Sequence, residues 1–129
     1  MDSADQIWNR ATQGGSFNPR RGDAALSAAL SFHSLVMNGG VLHAFEVLSV
    51  EELDRARDGF AWLTLTDVAN FLDVTGHTIA GTDEADDDAL DALEVTTDDD
   101  YQILLPDDQA LEDAFRQRLA DDADAFNPL

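Results

Sequence analysis

The sequence predicts an all-α fold: a single compact domain of about six helices packed around one core. Three observations predict it. Apolar residues recur at three- and four-residue intervals along most of the 129 residues. Asparagine, glycine and short polar capping residues punctuate those stretches. No segment of useful length alternates apolar with polar side chains, as a half-buried strand would, and no internal repeat is present. Hydrophobic residues make up 44% of the chain, enough to bury a real core.

The elements follow in order. Residues 4–12 read as a short helix around Ile7 and Trp8, and Gly14, Gly15, Pro19 and Gly22 mark the loop after it. Residues 1–22 are thus an N-terminal helix and loop, and 23–129 a helical acidic domain; together they form one globular unit. From Asp23, a suitable N-cap, to Met37 the residues Leu26, Ala29, Leu30, His33, Val36 and Met37 fall at helical spacing. Asn38, Gly39 and Gly40 then form a structural turn, because asparagine and glycine accept the left-handed backbone that ends helices. One of these three is expected to carry a positive φ, Gly39 first. A short helix follows with Val41, Leu42, Phe45 and Leu48 on one side.

Ser49-Val50-Glu51-Glu52 has the form of a capping box, in which Ser49 caps and Glu52 reaches back. Leu53, Ala56, Phe60 and Leu63 give the next stripe. Thr66 or Asp67 starts another helix, with Val68, Phe71, Leu72, Thr75 and Ile79 inside and Gly81 at its end. Residues 82–88 are a first acidic run, read as a solvated loop feeding a short helix. Leu90, Leu93 and Val95 give a brief apolar return before the second run, Asp98-Asp99-Asp100. Tyr101, Ile103, Leu104 and Leu105 read as extended or irregular. Pro106-Asp107-Asp108 looks like a helix start, since proline fits a first turn and carboxylates suit the positive end of the dipole. Leu111, Ala114, Phe115 and Leu119 line the last helix, with Phe126 beyond it. The core is expected to be led by Leu26, Leu30, Phe45, Leu53, Phe60, Phe71, Leu111 and Phe115.

Charge narrows the function classes. The chain holds 27 acidic and 7 basic residues, a formal net charge of −20. Every basic residue is arginine, and 21 of the acids are aspartate. Direct nucleic-acid binding is disfavoured, because phosphates would be repelled, and so is an anionic membrane surface. The charge is segregated: residues 1–64 carry net −3, with 8 acids and 5 arginines, and residues 65–129 net −17, with 19 acids and 2 arginines. Segregation suggests a face with a purpose rather than uniform solvation. There is no cysteine, hence no disulfide or thiolate chemistry. The first residues, Met1-Asp2-Ser3-Ala4-Asp5, lack a signal-peptide pattern, and no apolar run reaches the length of a membrane span. A soluble cytoplasmic protein is the expectation.

Catalytic and metal signatures are weak. His43 and Glu46 are spaced i, i+3 on a helix, yet no second pair completes a metal site; His33 and His77 read as core or surface residues. Asp83 to Glu94 has the length of a calcium loop, but Ala85 stands at its third position and Asp88 where the sharp turn needs glycine. No nucleophile triad, phosphate-cradling glycine loop or zinc-protease motif is present. No enzyme activity, cofactor or metal is expected.

The acidic runs admit a different use. Carboxylates at i, i+3 or i+4 on a helix lie about 5–6 Å apart at Cβ. That is comparable with the separation of neighbouring phosphates along one DNA strand. Asp83, Glu84, Asp86, Asp87, Asp88, Asp91, Asp98, Asp99, Asp100, Asp107 and Asp108 are therefore the expected partner-binding face. Zero lysine with abundant aspartate also fits a solubility or salt-adapted surface.

The run from Leu30 through Asn38-Gly39-Gly40-Val41-Leu42-His43-Ala44-Phe45 resembles a small bacterial family of acidic DNA mimic proteins. The hallmark there is a helix ending in Asn-Gly-Gly, followed by a short helix with an aromatic; Asn38, Gly39, Gly40 and Phe45 match it. Leu90, Leu93, Tyr101, Leu111, Phe115, Leu119 and Phe126 are similar to the later pattern, so the likeness covers about residues 24–126. Val41 stands where the family usually has an aromatic, and Ser49–Glu52 replaces an asparagine-containing stretch. The resemblance implies an all-α fold and, for the family's namesake, binding to a transcription factor in place of DNA. Only Asn38, Gly39 and Gly40 carry over, and in a structural role.

Together these point to a non-catalytic acidic domain that binds a basic DNA-binding protein, such as a repressor or a nuclease, by occupying its DNA groove. The alternative is an immunity-type or general interaction protein whose acidity serves solubility or salt adaptation. Homodimerisation is left open.

Overall fold

Asp2 starts the first helix, α1 (Ser3–Thr12), by accepting the Asp5 N–H at 2.8 Å. The computed structural model describes residues 2–14 and 18–129; Met1 and Gly15, both named above, lie outside the described residues. It is all-helical, with seven α-helices, 79% of residues in helix and no strand among the described residues. The remaining helices are α2 (Arg21–Gly39), α3 (Val41–Val47), α4 (Val50–Trp62), α5 (Thr66–Ala80), α6 (Asp87–Leu104) and α7 (Asp108–Asp121). A single 3-10 turn over Ala123–Ala125 follows.

α2 is the central element, packed against α1, α3 and α4. It starts three residues earlier than its sequence suggests, with Arg20 and not Asp23 as its N-cap. Asp23 lies in the first turn, and its buried carboxylate accepts the Arg20 N–H at 3.0 Å and the Asn127 N–H at 2.8 Å. The Arg10 guanidinium completes the set at 2.7 Å. One side chain thereby ties α1, the start of α2 and the C-terminal segment together. Farther along, α4 approaches α2 closely at Gly59, where a Cβ would lie 2.5 Å from the Ala25 carbonyl oxygen.

The Ser49 capping box forms as its spacing predicts. The Ser49 hydroxyl accepts the Glu52 N–H at 3.1 Å, and the Glu52 carboxylate accepts the Ser49 N–H at 3.0 Å. Those Ser49 hydrogen bonds hold the Glu52 carboxyl below the usual carboxylate range. Gly81 ends α5, also as expected.

Leu26, Leu30, Phe60, Leu111 and Phe115 are buried, but Phe45, Leu53 and Phe71 are only half-buried against the core. Their place at the centre is taken by Phe32, which falls outside the α2 stripe that the sequence predicts. Its ring lies 5.8 Å from Phe45, 6.0 Å from Phe60 and 5.9 Å from Tyr101. Met37, counted in that stripe, is instead exposed. At the other end of the core, Phe126 packs on Phe115 at 5.5 Å and on Trp62 at 5.7 Å.

The second half departs most from expectation. Residues 87–104 form one 18-residue helix, not a loop, a short helix and an extended stretch. The reason is a stripe hidden among the aspartates. Leu90, Leu93, Thr97, Tyr101 and Leu104 recur at helical spacing, and all are buried or half-buried. Thr97 also returns its hydroxyl proton to the Leu93 carbonyl at 2.8 Å, so it sits inside the helix without an orphaned donor. Pro106 precedes α7 rather than opening it; Asp107 is the N-cap and accepts the Gln109 N–H at 2.9 Å.

The Asn38-Gly39-Gly40 turn lies one to two residues later than its sequence suggests. α2 continues through Gly39, and Gly40 alone carries the positive φ, at +93° with ψ 173°. That region is essentially restricted to glycine. A Cβ there would also lie 3.0 Å from a carboxylate oxygen of Asp98, and a Cβ on Gly39 would lie 2.5 Å from the His43 ring and 3.1 Å from its Cβ. Gly40→Ala is therefore expected to cost about 1–3 kcal/mol in urea titrations, from its backbone conformation alone. A cost near zero would contradict this assignment.

Candidate protein-interaction surface

The acidic residues nominated from the sequence fall into two groups. Five have work inside the molecule. Asp83 accepts the Ala85 N–H at 2.9 Å and shapes the turn before α6. Asp86 is the N-cap of α6, accepting from Ala89 at 3.0 Å. Asp107 caps α7. Asp98, half-buried, crosses to α3 and accepts the Val41 N–H at 2.8 Å. α3 has no side-chain cap of its own, so α6 supplies the cap from a distant part of the chain.

Asp108 is the fifth. Its carboxylate lies 2.8 Å from Nε2 of buried His33, whose Nδ1 is 2.7 Å from the Tyr101 hydroxyl. An ionised carboxylate only accepts, so Nε2–H donates to Asp108; on a neutral ring Nδ1 then accepts from the Tyr101 hydroxyl. Burial, with the Asp108 charge adding to it, pushes the Tyr101 phenol far above its ordinary value. Tyr101 thus keeps its proton. With both ring nitrogens engaged, the Asp108–His33–Tyr101 line joins α7, α2 and α6.

The other six, Glu84, Asp87, Asp88, Asp91, Asp99 and Asp100, are exposed and make no side-chain hydrogen bond or ion pair among the described residues. At 3.6 residues per turn, Asp87 and Asp91 share one flank of α6 with Glu94 and Asp98, in i, i+4, i+7, i+11 register. Glu94, not among the acids expected at this face, belongs to the row as well. Asp88 and Asp99 lie on the outward crest and Asp100 on the opposite flank. The acids of α6 therefore wrap its three solvent-facing sides, over a helix about 27 Å long. They do not form one flat plane.

What sets α6 apart is where the arginines go. Arg116 pairs with Asp2 at 3.1 Å, Asp5 at 2.7 Å and Glu112 at 3.1 Å, around α1 and α7. Arg57 serves Asp54, Asp58 and Asp73 on α4 and α5. Arg10 holds Asp23, and Arg118 lies over the Trp62 ring at 4.1 Å. Residues 83–108 contain twelve carboxylates and no lysine or arginine. Among the described residues no arginine ion-pairs with any of the twelve.

This row opposes the stability of its own helix. Like charges at i, i+3 and i+4 each destabilise by about 0.2–0.5 kcal/mol. Asp98, Asp99 and Asp100 also lie toward the negative end of the helix dipole. A helix shaped by stability alone would place lysine or arginine there.

Among the described residues no group of three or more potential ligands is placed to hold a metal ion, the His43 and Glu46 pair included. From position 5 onward the Asp83–Glu94 segment is helix, which removes the loop geometry a calcium site of that type requires. No described helix is long and apolar enough to cross a membrane. No family model, curated protein or solved structure matches this chain.

Proposed function

We propose that this chain is a non-catalytic, cytoplasmic DNA mimic that occupies the DNA-binding surface of a transcription factor or another basic DNA-binding protein. The observation that carries the reading is the un-neutralised α6: a row of carboxylates at helical spacing, presented on three sides, while Arg10, Arg55, Arg57 and Arg116 pair with acids elsewhere. A basic groove that tracks phosphates recognises a rigid row of anions by the same long-range attraction. Aspartate suits the task, since its short side chain holds the charge close to a rigid backbone. The resemblance of Leu30–Phe45 to the acidic DNA mimic family supports the same reading. The alternative, an acidity that serves solubility or salt adaptation, predicts acids scattered over all faces rather than concentrated in one arginine-free stretch.

The test is charge reversal on the exposed flank. Asp87→Arg with Asp91→Arg is expected to weaken the partner complex by more than tenfold near 0.1 M salt, where screening is incomplete. Stability should change by less than about 1 kcal/mol, because both residues are exposed and only Asp87 sits at the dipole's positive end. The wild-type complex should weaken steeply as salt rises. Affinity indifferent to both salt and charge reversal would defeat the proposal.

A further inference from the structure

α6 carries a second feature that charge alone does not explain. On its flank facing α5, Ile103 is 79% exposed, and across from it on α5 Val74 is 56% exposed. Between them lie half-buried Phe71 and Leu104. These side chains line a shallow groove of about 420 Å³, and Asp67 and Asp100 stand on its rims. The two helices run antiparallel here: residues near the start of α5 meet residues at the end of α6. Neither rim carboxylate makes a hydrogen bond or ion pair among the described residues. Asp99 extends the acidic edge on the crest.

Two exposed β-branched side chains over an aromatic floor add nothing to solubility. An apolar channel between unpaired acids fits an occupant that is apolar along its centre and cationic along its sides. On α5, Asp67, Phe71, Val74 and Thr78 fall in one i, i+4, i+7, i+11 ridge. The channel therefore runs parallel to the helix axes for about two turns, the setting in which a helix lays an apolar face into a groove. We infer that the α5–α6 groove receives the apolar face of a basic amphipathic helix of the partner, while Asp67 and Asp100 take up its flanking lysines or arginines. This rests on the reading of the partner as a basic protein and deepens it: α6 supplies charge on one flank and an apolar anchor on the other.

The probe is a peptide of roughly 15–20 residues, long enough to hold a helix. It carries leucines at i, i+3, i+4 and i+7, with lysines and arginines elsewhere, and its scrambled counterpart has the same composition. Ile103→Asp separates the two contributions, because it adds a negative charge while removing the apolar anchor. The groove predicts that Ile103→Asp weakens binding of the amphipathic peptide about tenfold, or 1.4 kcal/mol. Ile103→Leu should leave it within about twofold, and the scrambled peptide should bind at least tenfold more weakly than the ordered one. Circular dichroism should show both variants folded, given the exposure of Ile103. The inference is overturned if Ile103→Asp binds as tightly as the wild type or tighter, or if the scrambled peptide binds equally well. It is also overturned if the chain sediments as a dimer that Ile103→Asp splits, since the occupant is then a second copy. Should peptide binding ignore Ile103 yet fall on Asp87→Arg with Asp91→Arg, the groove is wrong and the charge reading stands. Indifference to the charge reversal and to salt would sink the charge reading itself.

Discussion

Truncating Phe32 to alanine is expected to lower the free energy of unfolding by about 3–5 kcal/mol. The ring is fully buried and makes edge contacts with Phe45 and Phe60 and a third, inclined contact with Tyr101. It stands where α2 meets α3, α4 and α6, so no single helix can shift to fill the space. Aromatic pairs add to the cost beyond area alone. Phe60→Ala, at a position equally buried, should fall in the same range. Half-buried Phe71→Ala should cost visibly less. Equilibrium urea unfolding measures all three. A loss below about 1 kcal/mol for both Phe32 and Phe60 would mean that the centre of the domain is placed wrongly.

Asp23→Ala should have a comparable effect through different physics. The carboxylate is buried and takes hydrogen bonds from the Arg20 and Asn127 backbones and from the Arg10 guanidinium. Removing it leaves two backbone donors unpaired and the partly buried Arg10 cation with only the Asn127 and Pro128 carbonyls. Breaking a buried pair from one side costs about 3–5 kcal/mol. Arg10→Met combined with Asp23→Leu should recover part of that loss, since no charge is then left unpaired. A double variant less stable than Asp23→Ala would contradict the account. Because Asp23 joins α1 to the C-terminal segment, hydrogen exchange in Asp23→Ala should rise first in α1 and near Phe126.

These residues show which features could be read from the sequence. Local chemistry could. Ser49 and Glu52 are three residues apart, and their capping box needs nothing beyond that spacing. Gly81 ends α5, and the turn before Val41 required glycine, although the residue with positive φ is Gly40 and not Gly39. Long-range jobs could not. Asp98 looks like part of a solvated run, but it caps a helix 57 positions away. Asp108 looks like a first-turn carboxylate and bonds a histidine 75 positions away. Three successive aspartates read as a break, yet on a helix they point to three different sides while Thr97 and Tyr101 keep the inner face. Thr97 stands next to the run of aspartates with no apolar side chain to mark it, and only the packed helix places it on the inner face. The arginine partition lies beyond any sequence window, for Arg116 reaches residues 111 and 114 positions away.

The acids themselves are therefore not equivalent. Asp98, Asp107 and Asp108 are tied into the fold, and replacing them would confound any binding measurement. Asp87, Asp88, Asp91, Asp99 and Asp100 are free of such ties, and they are the positions at which binding and stability can be separated.

One measurement bears most directly on the proposed mimicry. The basic protein that elutes from the immobilised chain in a salt gradient is held at fixed concentration with its labelled duplex DNA, and the chain is titrated in. The account predicts full displacement of the duplex, with no species containing all three components at any ratio. Asp87→Arg with Asp91→Arg should require more than tenfold higher concentration to achieve the same displacement. A stable ternary complex, or displacement unaffected by the charge reversal, would contradict the account.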